Sequence, residues 1–339
     1  MPRHHFHLWF LIALTAVADA VWLPVRGMSL TGNALLLIFL PVSGLLALSC
    51  FYTTVRKNAR IAALAHMSAA TLAFMSASCI LSYLMVTLRQ PLIDPVLVRA
   101  DEAIGLHWLA FYNWMKGHPT LHIGMQFVYM TLIPQIFVLQ IILNFCGKTA
   151  RAWESLWLFM GACMACVFLS GLWPAAGAFA TFHVQMNEPY LHEFAAVRDG
   201  TLKIIGSRGG LQGVVEFPSL HMALAVLFPY AARGIRIVFP VFVVLDILVA
   251  MTTAPVGGHH YADLWAGAVL ALLVIGISRF CCPETSSAPG RAGSPSGKKN
   301  AGRVRALPAF KGLQEIKAQP ALSQTHRSKP DPRSTKRRR

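Results

Sequence analysis

Apolar residues run along this chain in long blocks, with polar positions gathered between them. The blocks cover 7–24, 33–54, 61–88, 121–146, 153–173, 219–233, 236–255 and 260–280. A bilayer core takes roughly 20 apolar residues per helix, so the pattern predicts about eight membrane-spanning helices. The fold class is therefore an all-α polytopic transmembrane bundle. The block at 219–233 is short for a full span, which is tolerable where its non-helical end is buried in protein or lines a polar cavity. Chemistry is expected at its mouth.

The turns between blocks carry a charge code. Arg3, then Arg56, Lys57 and Arg60, then Lys148 and Arg151, then Arg233 and Arg236, then Arg279 fall on alternate turns. Short basic turns of this kind belong in the cytoplasm, which puts both termini there. The long connections 89–120 and 174–218 then face the extracytoplasmic side. The segment from His7 shows no A-x-A cleavage pattern and reads as an anchor helix.

Composition agrees with the pattern: 55% of the 339 residues are apolar and 13% are charged. After Pro283 the character changes, because 14 of the 30 Lys and Arg residues lie there against Glu284, Glu315 and Asp331. Pro, Gly, Ser and like charge cannot bury enough apolar area to offset ordering entropy. We expect three parts: amino-terminal transmembrane helices (1–60), a catalytic membrane domain (61–282) and a disordered basic cytoplasmic tail (283–339). The tail suits anionic lipid headgroups; it lacks interleaved aromatics apart from Phe310, and no nucleic-acid partner is expected. The seven cysteines are spread through the apolar body and form no disulfide framework.

Two segments concentrate chemistry, Phe217-Pro218-Ser219-Leu220-His221 and Gly257-Gly258-His259-His260-Tyr261-Ala262-Asp263. In the first, Pro218 and Ser219 predict a helix start whose open N–H groups attract phosphate. In the second, glycines let the chain approach a bulky anion, and the four-residue spacing predicts His259 and Asp263 on one helical face. An Asp so placed holds an imidazole in one tautomer, as a nucleophilic or general-base His requires. Ionisable groups at membrane depth are functional candidates by default.

These segments resemble the second and third motifs of the type 2 phosphatidic acid phosphatase superfamily, Pro-Ser-Gly-His and Ser-Arg-x5-His-x3-Asp. Leu220 in place of Gly is similar to the branch that includes inositol phosphorylceramide synthases and bacterial inositolphosphotransferase-like relatives. The resemblance covers about residues 80–280. It implies His259 as nucleophile, Asp263 as its orienting partner and His221 as general acid, with Ser219, Gly257 and Gly258 binding phosphate oxygens. His260 competes with His259, but only His259 has the His-x3-Asp spacing. Thr252 and Thr253 stand where the Ser-Arg pair is expected, so another cation must serve. Arg198 is the first choice, with Arg208 and Arg89 as alternatives.

The resulting expectation is a lipid-phosphate phosphatase or phosphotransferase needing no cofactor and no metal, embedded in a bacterial inner membrane with its active site outside. A phosphotransferase of the inositol phosphorylceramide synthase type is one alternative. A transporter or scaffold is another, although the body shows no internal repeat. A metal hydrolase using His221, His259, His260 and Asp263 is a third.

Overall fold

The computed structural model describes residues 3–184, 189–206 and 211–281. Arg208 and the whole 283–339 segment, with its expected lipid contact, lie outside the described residues. In chain order the helices are α1 (Arg3–Val25), α2 (Gly32–Thr54), α3 (Ala59–Val86), α4 (Asp94–Ala103), α5 (Trp108–Lys116), α6 (Pro119–Met130) and α7 (Leu132–Phe145). They continue with α8 (Thr149–Leu172), α9 (Ala178–Thr181), α10 (Pro189–Asp199), α11 (Leu220–Ala232), α12 (Val238–Gly257) and α13 (Tyr261–Cys281).

In a bilayer every backbone polar group must be satisfied internally, which a helix does within one segment. Helices α1, α2, α3, α8, α12 and α13 are long and apolar enough to cross. Helices α6 and α7 qualify together as a seventh span, bent by 45°. The bend follows from Pro134, which cannot donate to the carbonyl of Met130 and so breaks the ladder at Thr131. The eighth apolar helix, α11, has only 13 residues. It rises about 20 Å, against a hydrocarbon core of about 30 Å.

Helix α3 is the axis of the bundle, packed against α1, α2, α7 and α8. Its small residues Ala62, Ala65, Ala69, Ala70, Ala77 and Ser78 are buried and let neighbouring helices approach closely. Phe74 fills the space they leave and meets Phe159 of α8 edge-on, with centroids 5.8 Å apart. Short α11 is also central, wrapped by α7, α8, α12 and α13. By contrast α2 buries little besides its seam with α3 and shows Leu36, Leu37, Phe39 and Leu40 on its surface, as a lipid-facing helix does.

The two long connections are built structures. The first contains α4 and α5, and the second α9, α10 and a two-residue strand, β2 (Ile204–Ile205). Strand β2 pairs in parallel with β1 (Ser29–Leu30) from the α1–α2 turn, which puts that turn at the same end of the bundle as the second connection. There the aromatic residues of α5 cap the end of α12: Trp108 donates from Nε1 to the carbonyl of Ala254 at 3.0 Å. The Trp108 ring stacks on Phe182 at 5.4 Å and meets Phe179 edge-on at 5.6 Å.

Candidate active site

The site lies where the starts of α11 and α13 meet the end of α12. Ser219 caps α11, its hydroxyl accepting the N–H of Met222 at 3.3 Å, and His221 follows in the first turn. The N–H of Ser219 donates to the Asp263 carbonyl at 3.1 Å, tying the two helix starts together. The tie is possible because Gly267 lies against it; a Cβ there would fall 2.2 Å from the Ser219 carbonyl oxygen. Helix α12 ends on Gly258 at φ +76°, ψ +16°, the left-handed stop that glycine adopts without strain.

His259 sits two residues ahead of α13, rather than on its face as the spacing predicted. Asp263 folds back to accept the His260 N–H at 2.9 Å, which brings its Oδ2 to 3.5 Å from His259 Nδ1. A nearer carboxylate is Glu216, whose Oε2 is 3.1 Å from the same nitrogen. All three side chains are buried. The rings of His221 and His259 are 5.9 Å apart between centroids and tilted by 58°, and Tyr129 of α6 stacks on His221 at 4.6 Å.

Burial pushes His259 down to about 4, against the opposing hydrogen bond of the Glu216 backbone, so the imidazole is neutral near pH 7. Burial holds Glu216 well above the usual carboxylate range, and the charges of Asp263 and Asp94 add to this. Two carboxyl groups facing one neutral ring cannot both ionise cheaply in a low-dielectric site.

His260 faces a separate polar cluster. Its Nε2 lies 3.5 Å from Asp94 Oδ1 and its Nδ1 lies 3.8 Å from Asp101 Oδ2, with Thr181 Oγ1 at 3.4 Å from Nε2. Asp94 also accepts the N–H groups of Ala176 and Gly177, each at 2.9 Å. Burial raises the Asp94 carboxyl, but contact with His260 and these two N–H groups outweigh it and hold it below its ordinary value. Asp101 accepts from Tyr261 at 2.9 Å and Ala262 at 2.7 Å, capping α13 from outside. Both carboxylates clamp the loop elements onto the helix that carries Asp263.

The structure thus brings His221, His259, Asp263 and Ser219 together. Close approach at the glycines is toward aromatic rings: a Cβ at Gly257 would meet Tyr129 Oη at 2.8 Å, and one at Gly258 would meet the Phe179 ring at 2.4 Å. Arg89 and Arg198 gather elsewhere, at the corner joining α3 to α10. Arg198 donates to the Gln90 carbonyl at 3.0 Å, and a Cβ at Gly200 would touch Arg89 at 2.7 Å. Among the described residues neither arginine is hydrogen-bonded or ion-paired to the histidine pair or to Asp263.

Sequence reasoning missed Glu216, Asp94, Asp101 and Tyr129. Glu216 carried a signal, as a lone acid in the apolar run Val214-Val215-Glu216-Phe217. The ligand atoms of Glu216, His259 and Asp263 also lie within 4.8 Å of one another, close enough to hold a metal ion.

A helical membrane bundle with two histidines facing each other at paired helix starts, one of them backed by carboxylates, defines a membrane protein with a buried histidine site. The chain belongs to the PAP2 superfamily, whose profile matches residues 95–277. That span runs from α4 into α13 and contains His221, His259, Asp263 and Glu216. No curated protein and no solved structure matches the chain.

Proposed function

We propose that this protein is a lipid-phosphate phosphatase or phosphotransferase that works through a phosphohistidine on His259. The observation that carries the reading is the 5.9 Å separation of the His221 and His259 rings, close enough for both to reach one tetrahedral phosphorus. Glu216 and Asp263 engage Nδ1 of His259, which leaves Nε2 as the attacking atom. Its lone pair forms the N–P bond while the P–O ester bond breaks, and the leaving alkoxide takes a proton from His221. Water or an alcohol then attacks phosphorus, gives its proton to His221 and releases His259. The incoming phosphate supplies the negative charge beside which an imidazolium at His221 is stable.

Arg198 is the first candidate for meeting the phosphoryl oxygens, with Arg89 and Arg208 as alternatives, and it would have to give up the Gln90 carbonyl to do so; Ser219, Gly257 and Gly258 are the other candidate phosphate contacts. The basic turns support a site on the extracytoplasmic face with both termini in the cytoplasm, in a bacterial inner membrane. Leu220 favours an acceptor of the inositolphosphotransferase kind. His259→Ala and His221→Ala should each abolish turnover in a chain that still inserts; wild-type rates in either would overturn the reading. Incubation with phosphatidic acid, and separately with a phospholipid plus inositol or ceramide, separates hydrolysis from transfer: release of free phosphate marks the first.

The Glu216, His259 and Asp263 cluster favours one second reading, a metal-assisted hydrolase in which these atoms hold a divalent ion. Loss of activity in EDTA supports it. Activity retained in EDTA and inhibited by vanadate supports the phosphohistidine route.

A further inference from the structure

The end of the bundle opposite His259 carries a second polar cluster. A cavity of about 460 Å³ opens there between the amino end of α8 and the carboxyl ends of α11 and α13, lined by Lys148, Arg151, Glu154, Tyr230, Ser278 and Arg279. Such a volume is on the scale of a small-molecule site.

Its charges are organised around Tyr230. The Tyr230 hydroxyl donates to Glu154 at 3.1 Å and accepts from Arg279 Nε at 3.1 Å. Arg233 lies 4.0 Å over the tyrosine ring and binds both oxygens of Glu154 at 3.0 Å. Arg151 donates to the carbonyl of Arg233, which fixes it at the rim. Among the described residues of the lining the one carboxylate is thereby engaged by Arg233, and Lys148, Arg151 and Arg279 give that lining a net positive charge.

The positive-inside rule gathers cations at this end, and the helix dipoles divide them into two kinds. Cations near the carboxyl ends of α11 and α13 complement those helix dipoles, as Arg233 and Arg279 do. Lys148 and Arg151, however, stand at the amino end of α8, where the dipole is already positive and the first turn holds no acid. They oppose their own helix. An anion in the cavity would be attracted by both side chains and by the helix end together.

The depth of the cavity identifies the kind of anion. From Tyr261 to Arg279 helix α13 rises about 27 Å, close to the roughly 30 Å of a hydrocarbon core, so the cavity sits at the water–lipid boundary away from the histidines. We propose that it is a binding site for the phosphate-bearing headgroup of an anionic phospholipid in the opposite leaflet.

The test uses the full chain in nanodiscs of phosphatidylcholine with phosphatidylglycerol. Native mass spectrometry should show phosphatidylglycerol retained by the wild type, about fivefold weaker retention in Lys148→Gln, and recovery in Lys148→Arg, since one basic residue near an anionic surface is worth roughly that factor. The basic segment after Pro283 is common to all three chains, so its contribution cancels. Equal retention in wild type and Lys148→Gln would overturn the site. A second measurement needs no variant: phosphatidylglycerol should raise the melting temperature of the wild type, whereas phosphatidylcholine and millimolar inorganic phosphate should not. Equal protection by inorganic phosphate would sink the headgroup assignment in favour of a free-anion site.

Discussion

Glu216 changes what His259 can be expected to do. Its carboxyl is the nearer partner of His259 Nδ1, at 3.1 Å against 3.5 Å for Asp263, and Asp263 spends its Oδ2 on the His260 N–H. Glu216→Gln should therefore lower kcat by about two to four orders of magnitude, the upper end being what a mis-set tautomer costs, as read by steady-state kinetics. The pH profile has a definite sign. With His259 held at about 4 by burial, the neutral nucleophile survives from pH 6.5 down to that value, so the acid limb of kcat/KM assigned to it should lie well below that of a free imidazole. The effect opposing the depression comes from the Glu216 backbone, which Glu216→Gln keeps, so that limb should stay in place. His221, His259 and Asp263 were legible in the sequence because their spacing is local and their setting apolar. Asp101 was not, since it stands 160 positions from the Tyr261 N–H it caps and looks like any helix carboxylate.

The starts of α11 and α13 act as one element, and small changes there should propagate to the histidines. A methyl at position 267 would fall 2.2 Å from the Ser219 carbonyl, and backbone cannot yield as a flexible side chain can. Gly267→Ala should part the two helices, costing about 1–3 kcal/mol as overpacking does and most of the activity, checked by thermal unfolding and turnover together. Asp101→Asn weakens the cap on α13 and should cost about 1 kcal/mol, with kcat falling more than KM rises because the cap positions His259 rather than the lipid. The spans themselves were readable from apolar runs. The bend at Thr131 needed the geometry of Pro134, and α4, α5 and α10 were hidden because short amphipathic helices in a connection carry no twenty-residue signal. Their role emerges only through contacts such as Trp108 to Ala254.

For the whole molecule, the orientation argument predicts a labelling pattern. In a cysteine-free background, Gly105→Cys should react with an impermeant maleimide from outside, and Asn58→Cys only after the membrane is opened; the reverse pattern would place the histidines inside. The class of the molecule was legible from composition and block length alone, because burying backbone in lipid allows so few solutions. That Arg89 and Arg198 share one corner was not legible, since they read as separate loop cations until the fold joins them. The brevity of α11 bears on how a lipid is handled. Since its carboxyl end reaches the same cavity as that of α13, the shortfall of a helix rising only about 20 Å falls at the His221 end. On the proposed reading a phosphate must sink below headgroup level to meet that histidine while its acyl tails stay among their neighbours. Chain length should then alter the ease of capture and leave the rate of bond cleavage untouched.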